Sequence, residues 1–74
     1  MSDQELDATG LLCPLPVLKA RKRLAALSVG QSLTVLTDDP AALIDIPHFC
    51  AEAGHDLTAS DTDSPIARWV IRKA

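Results

Sequence analysis

With 74 residues, the chain has room for one small core, which at this size supplies at most about 3–5 kcal/mol. Hydrophobic residues make up 47% and charged residues 23%, the balance of a folded globular domain rather than a disordered tail. The net charge of −3 argues against a general nucleic-acid binder, and no apolar run approaches the length of a membrane span.

The start of the chain, Met1-Ser2-Asp3-Gln4-Glu5, is polar and acidic, the opposite of a secretory leader. Two cysteines are too few for a disulfide framework. These features predict a single domain over residues 1–74, placed in the cytoplasm with reduced thiols. No direct contact with nucleic acid or membrane is expected.

In chain order, Gln4–Asp7 is a short strand candidate that Thr9-Gly10 ends. Cys13-Pro14-Leu15-Pro16 follows. Both prolines fit the first turn of a helix, where a missing N–H has no intrahelical acceptor. That placement makes Cys13 the N-cap. Val17, Ala20, Leu24 and Leu27 then form one apolar stripe at 3- and 4-residue spacing. The helix is expected to stop near Ser28, with Gly30 as its C-terminal signal.

Gln31–Thr37 alternates as a strand, with Leu33 and Val35 on one face. Asp38-Asp39-Pro40 reads as an acidic cap followed by proline at the start of a second helix. Pro47 would clash with the carbonyl of Leu43 in a straight helix. The expectation is therefore one turn over Ala41–Ile44, then a kink or restart capped by Asp45. The main helix would run to Ala53, with Ile46, Phe49, Cys50 and Ala53 facing inward, and Gly54 would end it. Leu57–Ser60 and Ile66–Arg72 are two closing strands separated by the turn residues Asp61-Thr62-Asp63-Ser64-Pro65. The order is βαβαββ, an α/β (α+β) two-layer sandwich with both helices on one face of a mixed four-stranded sheet.

Cys13 is the residue that could carry chemistry. A thiol at a helix N-cap meets unpaired backbone N–H groups and the positive end of the helix dipole, both of which favour thiolate. The two prolines take away donors but stiffen the loop that presents the sulfur. The residues alone leave two readings, a reactive sulfur suited to exchange with another protein's cysteine or an inert small residue at a helix start. A complete hydrolase site is not legible: His48 and His55 are the only histidines, and nothing in the sequence places either beside Cys13.

Cys50, on the inner face of the second helix, reads as a small buried hydrophobe. Its alternative is a resolving thiol for Cys13. A zinc site from Cys13, Cys50, His48 and His55 lacks a Cys-x-x-Cys pair and is not expected; no cofactor is. Phe49 and Trp69 are core candidates, although Trp69 could also mark the helix-free face of the sheet. Lys19, Arg21, Lys22 and Arg23 cluster, while residues 25–66 hold seven acids and no Lys or Arg. This is either a solvated helix face or a dipolar surface that orients protein partners.

Leu6-Asp7-Ala8-Thr9-Gly10-Leu11-Leu12-Cys13-Pro14-Leu15-Pro16, with Arg21-Lys22, resembles the TusA/SirA/YedF family of small sulfur-carrier proteins. Asp38-Asp39-Pro40-Ala41, Asp45-Ile46-Pro47, Phe49-Cys50 and Ile71-Arg72-Lys73 extend the likeness over essentially the whole chain. The resemblance implies a βαβαββ sandwich and a carrier-type sulfurtransferase that holds sulfane sulfur as a persulfide on Cys13. Gly10, Pro14 and Pro16 frame the motif. Lys19, Arg21 and Lys22 are the candidate partner contacts. The implied partners are a cysteine desulfurase or rhodanese-like donor and a downstream acceptor protein, as in 2-thiolation of tRNA; a small carrier that visits several partners is expected to be a monomer. Leu15 departs from the glutamate of the best-known thiouridine-pathway member, so the pathway stays open. Two other functions remain beside this one: a redox-responsive thiol protein using Cys13 and Cys50, and a non-catalytic interaction module.

Overall fold

A computed structural model describes residues 4–74. The first three residues of the acidic start lie outside it. Four strands, β1 (Gln4–Asp7), β2 (Ser32–Thr37), β3 (Asp56–Asp61) and β4 (Ala67–Arg72), and two helices, α1 (Leu15–Ala25) and α2 (Ala42–Ala53), follow in the expected order βαβαββ. The sheet order is β1-β2-β4-β3. β1 runs parallel to β2, and α1 supplies the crossover connection that a parallel pair needs. β2–β4 and β3–β4 are antiparallel.

Strand alternation decides which side the helices cover. Leu33, Val35 and Thr37 of β2 are buried, opposite Ile71, Trp69 and Ala67 of β4. Successive strand residues point to opposite faces, so these six share one face. Leu6 of β1 joins them in the core. From above, α1 contributes Pro16, Ala20 and Leu24, and α2 contributes Ala42, Ile46, Phe49 and Cys50. The α1 residues recur every four positions and the α2 residues at three and four, each a single helical stripe. Trp69 therefore belongs to the core and not to the helix-free face.

Its indole Nε1 donates to Thr37 Oγ1 at 3.0 Å, between two side chains that are almost fully buried. Trp69→Phe leaves that hydroxyl without its donor, and the cost of a buried group losing its partner is about 1–3 kcal/mol. The expected result is a lower urea midpoint with an unchanged slope, read by circular dichroism because the protein then lacks tryptophan. Adding Thr37→Val should recover part of the loss, since no polar group is then stranded. An unmoved midpoint in the single variant means the bond contributes nothing.

Several boundaries differ from expectation. α1 begins at Leu15 and ends at Ala25, short of Ser28. A lysine from the far end of the chain holds the last carbonyl of the helix and one just beyond it: Lys73 Nζ donates to Ala25 O at 3.3 Å and to Leu27 O at 2.8 Å. α2 is continuous through Pro47, with no restart at Asp45. Its first turn is tight, with Ala42, Leu43 and Ile44 donating three residues back to Asp39, Pro40 and Ala41. Pro47 has no N–H to donate to the Leu43 carbonyl, so the helix gives up that one bond, and Leu43 itself is about half exposed. Ala53 points outward. Gly54, at φ +78°, caps α2 in the left-handed conformation that suits glycine. In β3, Thr58 is a bulge, because Leu57 opposes Ile71 and Ala59 opposes Val70.

Candidate functional site

Cys13 is exposed and free. It sits one residue before the N-cap of α1, which is Pro14, with Pro16 buried at the second helical position. The segment from Asp7 to Cys13 is pinned by short-range and long-range bonds. Asp7 Oδ1 accepts from Thr9 N at 3.0 Å and Thr9 Oγ1 at 2.6 Å; these bonds hold the Asp7 carboxyl below its usual range. Gly10 then turns the chain at φ +80°, a conformation glycine adopts without strain. Its N–H donates to Asp38 Oδ1 at 2.9 Å. The Cys13 N–H donates to Asp39 Oδ2 at 2.6 Å. The acidic pair expected to cap α2 thus serves the loop that carries the thiol. The α2 N-cap residue is Ala41, and Asp39 Oδ1 accepts from its N–H at 3.2 Å.

The sulfur itself donates to Asp45 Oδ2 at 2.7 Å. That bond raises the Cys13 thiol above its ordinary acidity range, with smaller contributions from lost water and from the charges of Asp45 and Asp39. The expectation of a thiolate favoured by the helix N-terminus is overturned. Cys13 is not the N-cap, its own N–H is taken by the Asp39 carboxylate, and its Sγ is hydrogen-bonded to the Asp45 carboxylate, an arrangement that favours thiol over thiolate.

A cleft of about 190 Å³ opens beside the sulfur, lined by Pro14, Val17 and Arg21 on one side and Asp45, His48, Phe49 and Glu52 on the other. The Arg21 guanidinium lies 5.3 Å from the Phe49 ring centroid, within cation–π range. His48 Nε2 is 3.5 Å from Glu52 Oε2. His48 therefore does share the cleft with Cys13, contrary to the sequence expectation. Sequence reasoning missed Asp39, Asp45, His48 and Glu52. Asp45, His48, Phe49 and Glu52 are spaced i, i+3, i+4, i+7 and form one helical stripe; the sequence carries no signal that this stripe faces Cys13 across a cleft.

The basic cluster divides. Arg21 faces the cleft, whereas Lys19 and Lys22 lie on the other flank of α1, beside Leu6 and Arg23. Arg23 Nη2 donates to Glu5 O at 3.0 Å, occupying an acceptor of the edge strand β1. Arg72 pairs with Asp56 at 2.6 Å across β3 and β4. Several of the basic residues thus hold the fold. Cys50 is buried, and burial pushes its thiol up as well. Among the described residues no group of three or more His, Cys, Asp or Glu side chains could hold a metal ion, and no helix is long and apolar enough to cross a membrane.

A SirA-like protein from Desulfitobacterium hafniense has the same fold, with a TM-score of 0.81 and 28% identity over 93% of this chain and 95% of its own. A family profile described as Sulfurtransferase TusA matches residues 4–73. A match running from the first strand to the penultimate residue makes this chain a member of the TusA family, whose proteins act as sulfur carriers.

Proposed function

We propose that Cys13 accepts sulfane sulfur as a persulfide and relays it to a downstream acceptor protein. The observation that carries this reading is an exposed thiol outside any disulfide, on a loop fixed by Asp38 and Asp39, in a Cys-Pro-x-Pro segment of a chain that belongs to a sulfur-carrier family. A cysteine desulfurase or a rhodanese-like protein is the donor. The acceptor belongs to tRNA 2-thiolation or another sulfur-trafficking route. Transfer is thiol exchange: Sγ attacks the outer sulfur of the donor persulfide, and an acceptor thiolate later attacks the carried sulfur.

Partners supply the remaining groups and dock around the thiol. Leu12, Leu15 and Ile44 are 70%, 44% and 75% exposed, and Leu12 and Leu15 flank Cys13 in sequence. Such apolar groups suit a protein partner. Arg21, Lys19 and Lys22 orient that partner by charge. The carrier works as a monomer in the cytoplasm, without direct contact to nucleic acid or membrane. Gly10, Pro14 and Pro16 keep the loop in shape. A redox couple with Cys50 is disfavoured, because Cys50 is only 3% exposed while Cys13 lies at the surface.

A pulse-chase experiment tests the relay. The protein is loaded from isotope-labelled cysteine by a cysteine desulfurase, separated from the donor, and mixed with a thiol-bearing acceptor protein of a thiolation pathway. Label that moves to the acceptor, and is released from the carrier by reductant, is the expected result. A chain that takes no label from either donor class contradicts the proposal.

A further inference from the structure

We infer that Asp45 holds the Sγ proton of Cys13 in the empty carrier and loses that bond on loading, so that one carboxylate separates the empty state from the persulfide state. The inference rests on the carrier reading for its second half, but its first half concerns the free protein alone.

The geometry carries it. One proton lies between Cys13 Sγ and Asp45 Oδ2, 2.7 Å apart. A thiol is ordinarily a weaker acid than a carboxyl by about four to five pH units, so the proton belongs to sulfur and the carboxylate accepts. Nothing around the pair reverses this order. From α1, Arg21 faces the cleft but stacks on Phe49. From the turn before α2, Asp39 adds a second negative charge and binds the Cys13 N–H. From α2, His48 lies beside Glu52. The raised Cys13 thiol agrees with this arrangement, and its largest cause is the Asp45 bond. In the free protein the sulfur is therefore kept as a neutral thiol, slow towards adventitious electrophiles even though it is exposed.

Loading removes the bond by stoichiometry. The donor persulfide R–S–S–H and Cys13–Sγ–H give R–S–H and Cys13–Sγ–S–H. The Sγ–S bond forms as the donor S–S bond breaks, and the proton leaving Sγ ends on the donor sulfur. Cys13 is oxidised to the persulfide level as the donor is reduced to a thiol, so no other oxidant enters. Sγ then has no hydrogen to donate. The outer sulfur of a hydropersulfide is more acidic than a thiol, so at neutral pH it carries negative charge and is repelled by Asp45 and Asp39. The carried sulfur is directed away from α2 towards solvent, where an acceptor thiolate can reach it.

The test is iodoacetamide alkylation of Cys13 against pH, read at peptide level so that Cys50 is scored separately. Asp45→Asn keeps the shape and removes the charge. It should move the alkylation midpoint to lower pH and speed alkylation severalfold at neutral pH, because the gain in thiolate fraction exceeds the loss in intrinsic nucleophilicity. Asp45→Glu should keep a high midpoint, and Asp39→Asn, at a carboxylate that binds the backbone N–H groups of Cys13 and Ala41 and not the sulfur, should move it less. The wild type in denaturant provides a second reading: its Cys13 midpoint should fall on unfolding. A midpoint unmoved by Asp45→Asn and by denaturant overturns the inference. If loading from a desulfurase persists alongside an unmoved midpoint, the inference fails and the carrier reading stands. If the midpoint moves but no donor loads the protein, the proton-holding role stands and the carrier reading fails.

Discussion

Ile46→Ala is expected to leave a large fraction of the chain unfolded at room temperature. Ile46 is fully buried on the stripe of α2 that meets the sheet, among Phe49, Cys50 and the β2–β4 layer. Removing three buried carbons costs the lost transfer energy plus the cavity left behind, about 2–5 kcal/mol for this change. A core of this size supplies at most about 3–5 kcal/mol, so one substitution offsets most of the total. Ile46→Val, which trims a single methylene, should cost about 0.5–1.5 kcal/mol and keep a cooperative transition. Urea melts of the three proteins check this. A wild-type midpoint for Ile46→Ala would mean that α2 is not packed against the sheet as described.

Cys13→Ser is expected to abolish sulfur relay altogether, while Cys50→Ala leaves it intact at some cost in stability. A hydroxyl in place of the thiol cannot form the disulfide-type bond that carrying sulfur requires, so no partial activity is expected. Because Cys13 is exposed, the change leaves the core untouched, and its melt should match the wild type. Cys50 is buried and about the size of alanine plus one sulfur. Its loss leaves a small cavity of the kind that costs about 1 kcal/mol. Retained relay in Cys13→Ser, or lost relay in a folded Cys50→Ala, would assign the chemistry to the wrong cysteine. The two variants together separate a carrier from a redox pair, since a pair needs both thiols.

The faces of β2 and β4 were legible because alternation in Leu33, Val35, Trp69 and Ile71 is a local signal that tertiary structure did not override. The βαβαββ order followed from the same kind of signal. A proline inside a helix predicts a break, yet α2 runs through Pro47, which leaves the carbonyl of the half-exposed Leu43 without its helical donor. The expected helix from Asp45 to Ala53 already held Asp45, His48, Phe49 and Glu52 on one segment; that this stripe faces Cys13 comes from the packing of α2 beside α1, which no local window of sequence shows. The acid–base character of Cys13 was misjudged for the same reason. Its controlling groups, Asp39 and Asp45, are 26 and 32 residues away in sequence. A helix start can be seen in a window of ten residues, whereas a carboxylate brought in by the next helix cannot. The basic cluster illustrates the same limit: Lys19, Arg21 and Lys22 are neighbours in sequence, yet only Arg21 faces the sulfur's cleft.

The central claim is that Cys13 carries sulfur, and site-resolved mass spectrometry after incubation with a cysteine desulfurase and cysteine tests it most directly. Free thiols and persulfides are capped with an alkylating agent, and the peptides containing Cys13 and Cys50 are compared with and without reductant. The account predicts a Cys13 peptide heavier by one or more sulfur atoms that reverts on reduction, with Cys50 unmodified. An unmodified Cys13 peptide after exposure to both desulfurase and rhodanese-type donors, or added sulfur on Cys50 alone, would contradict it.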